Sequence, residues 1–210
     1  MFCKCGTMAR KTKEDMEKTR QLILQSALDL FCKNGYSKTT FDSIAKHINL
    51  TKGAVYWHFK NKPDILLALM QKIIVEHMHK SYREPQTLTE IVEGFYDAAQ
   101  SIQADEAQRK FMFFMHFQLE WSEEIFTTIS SQVKELCEVP LKKLCHTFDE
   151  LKKAGEVDEN IDSLTAAEVV SCVWCGLLQK FVLNEDGFDL ATKTKAALSL
   201  VLNSMKKESK

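Results

Sequence analysis

Seven glycines and three prolines punctuate a chain of 210 residues. So few turn residues cannot supply the many reversals of a β-sandwich or barrel, and they point to helices joined by short connections. The same scarcity removes the loops on which common nucleotide and acyl chemistry depend. There is no GxGxxG, no Walker loop and no GxSxG elbow. Apolar residues at 45% and charged residues at 27% are ordinary globular proportions, which argues against a disordered or fibrous chain. The length suits one large domain or two small ones.

Helical periodicity fills most of the chain. Ile23, Ala27, Leu30 and Phe31 fall on one face over about 19–34, closed by Asn34-Gly35. Thr39 or Thr40 can cap a short helix to about 48, with Ile44, Ala45 and Ile48 inward. A third short segment covers 52–59, and Pro63 suits the first turn of a helix reaching about 81. Further helices are expected over 88–102, 106–121, 124–154, 163–184 and 189–206, with Pro140 kinking or splitting the long one. Nothing reads as a strand, so the expected class is all-α.

Charge is distributed unevenly along this pattern. Residues 1–62 carry 12 Lys+Arg against 5 Asp+Glu, while residues 63–210 carry 16 against 24. A basic N-terminal quarter on an acidic remainder suggests a polyanion-binding module attached to something else. Within that quarter, two short helices joined by the tight turn Asn49-Leu50-Thr51 form a helix-turn-helix pattern. The segment 52–59 is too short to be stable alone and must be held by its neighbours. Ile44, Val55 and Phe59 supply a small core. Thr51, Lys52, Tyr56, Trp57 and His58 face outward, as donors and polar-tipped aromatics suited to a DNA groove or to phosphates.

These residues resemble the tetracycline-repressor (TetR) family of bacterial transcription regulators. The resemblance is carried by Ala27 to Phe31, Gly35-Tyr36, Thr39-Thr40-Phe41, Ile44-Ala45 and, above all, the run from Thr51 to Lys62. Close likeness covers about 50 residues; beyond them, only the length and the helical pattern agree. The start Met8-Ala-Arg-Lys and the Tyr-Trp-His variant are similar to the acriflavine-resistance repressor branch, which controls multidrug efflux genes. The resemblance implies a homodimeric repressor of an efflux-pump or stress operon, released from operator DNA by a hydrophobic small molecule. It implies a tail over 1–13, a DNA-binding domain over 14–62 and a ligand-binding and dimerisation domain over 63–210. It places Thr51, Lys52 and Gly53 at the start of the recognition helix, with Gly53 allowing close backbone approach. Tyr56, Trp57 and His58 then meet phosphates or base edges, Thr40 caps the second helix towards a phosphate, and Lys62 meets the DNA backbone.

The C-terminal two-thirds carries aromatic residues and no catalytic constellation. Phe95, Phe111, Phe114 and Phe117 are candidates for a ligand pocket, with His116, Gln118 and Glu120 as its polar groups; Glu120 would pair with a cationic ligand. The same phenylalanines serve equally as plain core. The segment 164–184 is apolar nearly all round and needs cover on two sides, so a second subunit is expected there, with Trp174, Leu177 and Phe181 at the interface.

Seven cysteines, an odd number, and no apolar leader point to a reducing cytoplasm. Cys172 and Cys175 sit mid-helix among apolar neighbours and are expected to be buried structural thiols. No Cys/His set, His77 and His79 included, has zinc spacing, and no cofactor is expected. The most apolar stretch, near 169–183, is interrupted by Gln179 and Lys180 and falls short of the roughly 20 residues a membrane span requires. Two alternatives stand beside the ligand-responsive regulator. One is a thiol-responsive regulator using Cys172 or the pair Cys137 and Cys145; the other is a helical enzyme, for which no site is found.

Overall fold

The computed structural model describes residues 13–79, 84–183 and 187–207. These residues hold nine α-helices: α1 (Lys13–Asn34), α2 (Phe41–His47), α3 (Lys52–His58), α4 (Lys62–His79), α5 (Leu88–Ala104), α6 (Glu106–Phe113), α7 (Glu123–Lys153), α8 (Ser163–Leu183) and α9 (Leu190–Asn203). A π-helical turn, Phe114–Gln118, continues α6. Among the described residues the β pairing is confined to one isolated bridge between Val157 and Lys206. The fold is all-α. The expected tail lies almost wholly outside the described residues, as do the side chains of Ile73, His77, Met78, His79 and Cys137.

The chain divides into two compact units, one ending at Leu66 and the other beginning at Leu67. The division falls inside α4, whose fully buried Ile65 and Leu66 go with the first unit. In that unit α1 supplies Ile23, Leu24, Ala27 and Phe31 to the core, α2 supplies Ile44 and Ala45, and α3 supplies Val55. Helix α1 begins at Lys13, six residues before the apolar periodicity does. Glu14 and Asp15 suit the positive end of its dipole, and Glu14 pairs with Lys18 at 2.7 Å.

In the second unit α5 and α9 pack along each other, and α7 and α8 close the bundle. Its main core joins Leu88, Ile91 and Val92 of α5, Phe148 and Leu151 of α7, Ala167 and Val170 of α8, and Leu198 and Leu202 of α9. A neighbouring cluster surrounds Ala99, Ile102, Leu190 and Ala191. Gln103 Oε1 secures the start of α9 by accepting from the Ala191 N–H at 2.6 Å. Thr194 on α9 is fully buried, and its hydroxyl has no hydrogen-bond partner. A hydroxyl held from water without a partner is destabilising. Thr194→Val keeps the shape and should raise the unfolding free energy by about 1–2 kcal/mol. Urea denaturation checks this, and a loss of stability would show that the hydroxyl is bonded.

One alternative is settled and two expectations are corrected. Of the kink or split expected at Pro140, the split does not occur: helix α7 runs 31 residues through it. Proline removes one donor from the ladder, while Glu138 pairs with Lys134 at 3.5 Å and Lys142 at 3.1 Å, linking the turns on either side. The expected helix over 106–121 ends early: at Phe114 the ladder changes register, the Leu119 N–H donates to the Phe114 carbonyl at 2.8 Å, and the chain then extends. Helix α8 has 21 residues with a mean hydropathy of 1.5 over its most apolar window, long and apolar enough to cross a membrane by length and composition. It starts at Ser163, so Gln179 and Lys180 do not make it too short; only 17% of that window is buried within the chain.

Candidate nucleic-acid interface

The geometry of α2 and α3 is set by local capping. Thr40 is the N-cap of α2: its hydroxyl accepts from Ser43 N at 3.1 Å, and Ser43 Oγ accepts from Thr40 N at 2.9 Å. Helix α2 ends at His47; just beyond it Asn49 takes the left-handed conformation (φ 54°) that asparagine tolerates, and Leu50 N bonds back to Ala45 O at 2.8 Å. Thr51 then caps α3 by accepting from Ala54 N at 3.2 Å. Seven residues make α3 marginal alone. Val55, fully buried, and Phe59, 2% exposed, anchor it to the small core, and the Arg20 guanidinium lies 5.2 Å from the Phe59 ring. Tyr56 leans on Phe41 of α2, ring centroids 4.6 Å apart.

The other side of α3 is open. Tyr56 is 53% exposed and Trp57 66%, an unusual pair to leave in water. Thr51, Lys52 and Gly53 are exposed, while His58 is half-buried with its ring edge-on to Trp57 at 4.8 Å. A Cβ placed on Gly53 would meet only Thr51 Oγ1, at 3.9 Å. The chain's own packing therefore does not require glycine there.

Lys62 has a role that sequence spacing did not reveal. Its Nζ donates to the carbonyls of Tyr36 at 2.8 Å and Ser37 at 3.1 Å, and sits 4.6 Å from the Tyr36 ring. It thereby clamps the turn after Gly35, where φ is +84°. Lys62 also lines an open depression of about 310 Å³ together with Ser37, Thr40, Lys52, Lys60 and Asn61. Three lysines and four hydroxyl residues (Ser37, Thr39, Thr40 and Tyr56) border it against one carboxylate, Asp42, which is already paired with Lys46 at 2.7 Å. Such a depression suits a phosphate group. Ser37, Lys60 and Asn61 were not among the residues expected from the sequence. The basic run 60–62 was their only signal, and Asn61 reads from sequence mainly as the helix cap it is, accepting from Asp64 N at 2.8 Å.

In the second unit the expected ligand residues differ in burial. Phe111 and Phe114 are buried with ring centroids 6.5 Å apart. Phe95 is half-buried and stacks edge-on to Trp174 at 5.3 Å. Phe117 is 40% exposed and faces Phe113, and Glu120 is exposed. Trp174, Leu177 and Phe181 pack partly against their own chain, around Ala99 and Ile102. The large apolar residues that α8 and α9 leave exposed include Leu164, Val169, Leu183 and Leu200.

Cys172 and Cys175 share that outer side, which corrects the expectation that they are buried: α8 is apolar nearly all round, and the chain covers only one of its sides. Burial pushes the Cys145 thiol up, and Asp149 and Asp162 push it further, so its reactive thiolate is disfavoured. Among the described residues no group of three or more His, Cys, Asp or Glu could hold a metal ion.

A short capped helix, held by its neighbours and presenting lysine, glycine and aromatics beside a basic depression, defines a helix-turn-helix DNA-binding protein with a second, helical unit. The family model for bacterial regulatory proteins of the tetR family matches residues 23–69, and the model for the C-terminal region of MAATS-type transcriptional repressors matches residues 86–207. The chain belongs to the TetR family of transcriptional regulators. It is 26% identical over 201 residues to the probable acrEF/envCD operon repressor of Escherichia coli K12, covering 93% of this chain and 90% of that one. Its fold matches NalD, the secondary repressor of the MexAB-OprM multidrug efflux pump in Pseudomonas aeruginosa, with a TM-score of 0.78 and 22% identity, over 94% of this chain and 100% of that one. It matches SmeT of Stenotrophomonas maltophilia in a complex with triclosan equally well, with a TM-score of 0.78 and 24% identity, over 91% and 93% of the two chains.

Proposed function

We propose that this regulator is a homodimeric repressor of an efflux-pump or stress operon in the cytoplasm, binding palindromic operator DNA through residues 40–62 and released by a hydrophobic small molecule held in its second unit. The observation that carries the DNA part is the open face of α3 beside the lysine-bordered depression. Tyr56 and Trp57 reach phosphates or base edges, Thr40 and Lys52 meet phosphates, and Gly53 lets the DNA backbone approach. The operon and the inducer rest on the relatives, which include efflux-pump repressors and one solved with triclosan.

Gly53 provides the test. Gly53→Ala relieves the entropic cost of glycine in a helix and should stabilise the chain by about 0.5–1 kcal/mol. The added methyl projects into open space at the DNA face, so operator affinity should fall at least about tenfold, since close backbone approach tolerates no Cβ. Thermal unfolding and a DNA titration of the same sample check both halves. A variant that binds as tightly as the wild type would remove Gly53 from the interface.

Helix α4 runs from Lys62 to His79 and so continues from the first unit into the second. A ligand favouring one arrangement of the second unit can act on the first through it. The coupling is limited to the ligand's differential affinity for the two states, typically about 1–3 kcal/mol. A second reading is favoured by the exposure of Cys172 and Cys175: a regulator switched by thiol oxidation. Operator release by peroxide but not by hydrophobic compounds would select it.

A further inference from the structure

We infer that Cys172 and Cys175 form a two-thiolate site on the outer side of α8 that binds a soft, thiophilic cation of the copper(I) class. The inference stands apart from the operator and small-molecule readings above. It starts from the two residues between the cysteines. Val173 packs against the main core of the second unit and Trp174 against the neighbouring cluster, where its ring meets Phe95 edge-on at 5.3 Å. This turn of helix cannot rotate without unpacking both. The cysteines on either side of the anchors are thereby held outward, and both are exposed. Gly176 follows directly, and a Cβ placed on it would meet nothing within 4 Å, so open space adjoins the pair.

Spacing decides what such a pair can do. Residues three apart on a helix have Cβ atoms roughly 5–6 Å apart. A disulfide needs about 3.5–4.5 Å, so closing one here would strain the helix. An ion joined to both sulfurs by bonds of about 2.3 Å, the zinc–thiolate length, spans the wider gap. Zinc itself takes four ligands, and among the described residues no third Cys, His, Asp or Glu joins the pair to hold it. Copper(I) is soft, selects thiolates and is satisfied by two of them. Binding breaks both S–H bonds, forms two Cu–S bonds and releases two protons to solvent, with no change of oxidation state. The proposed dimer would place its second subunit on this side of α8. Both ligands come from one helix, so the stoichiometry is one ion per chain with or without that contact.

The test titrates copper(I), held by bicinchoninate, with the full reduced chain in the absence of oxygen. Cys3 and Cys5, the other closely spaced pair in the sequence, are first replaced by serine. This chain should still take one ion. Losing an outer-shell partner costs a metal site about 10–100-fold, so losing a ligand should cost more: Cys172→Ser and Cys175→Ser, each in that background, should weaken binding at least about a hundredfold. Because two protons leave, affinity should rise about a hundredfold from about pH 6 to pH 7. Copper K-edge absorption of the loaded chain should show two sulfur neighbours, a readout that needs no substitution in α8. Loss of the tight site with Cys3 and Cys5, unchanged affinity in either α8 variant, a rise of only about tenfold with pH, or a single sulfur neighbour would overturn the assignment.

Discussion

Raising the salt from about 50 to 200 mM should weaken operator binding about a thousandfold. Lys52, Lys60 and Lys62 border the depression beside α3, so a dimer presents about six such charges to phosphates and releases a matching number of counterions. The expected slope of log affinity against log salt is near −5, about −0.9 for each phosphate. Lys62→Ala should weaken binding to all sequences alike and flatten that slope by about one per chain. The same variant should also lose stability, because Lys62 clamps the carbonyls of Tyr36 and Ser37. A wild-type affinity that changes less than tenfold over this range would show that the lysines do not meet phosphates.

If the chain dimerises as proposed, charging the outer side of α8 and α9 should separate the subunits without unfolding them. Val169 is 38% exposed and Leu200 76%, and neither belongs to a core cluster of its own chain. The double variant Val169→Glu, Leu200→Glu should therefore be a soluble monomer by sedimentation equilibrium. Operator affinity should fall by about two to four orders of magnitude, because the second half-site is no longer tethered to the first. Leu177→Glu or Phe181→Glu should behave differently. Both side chains pack against the cluster around Ala99 and Leu190, so a charge there disrupts the bundle itself and yields insoluble protein. A double variant that remains a dimer would place the interface elsewhere.

What could be read from the sequence was what local chemistry decides. A threonine before a short apolar run is a cap wherever the run folds, so Thr39 or Thr40 could be read as the cap of α2, and it is Thr40; that Thr51 caps α3 in the same way was not read. Ile44, Val55 and Phe59 are inward because the spacing leaves them no other side. The exposed Lys52, Tyr56 and Trp57 follow from the same spacing. What could not be read depends on partners distant in the chain or on a change of helical register. The carbonyls that hold Lys62 lie 25 and 26 residues away. The π-turn at Phe114 has no periodic signature, so its aromatics read as one continuous stripe, whereas Phe114 is buried and Phe117 is 40% exposed. Helix α8 is apolar nearly all round, and no pattern of apolar residues says which side the chain covers. Cys172 and Cys175 fell on the uncovered one.

The DNA-reading function is tested most directly by selection from random duplex DNA, followed by titration of the enriched duplex and of its scramble at one salt concentration. An inverted repeat should emerge, its half-site centres about 34–36 Å apart or a multiple of that. It should be bound by two chains at least about a thousandfold more tightly than the scramble. A pool that stays random through the selection, with the two duplexes bound alike, would contradict it.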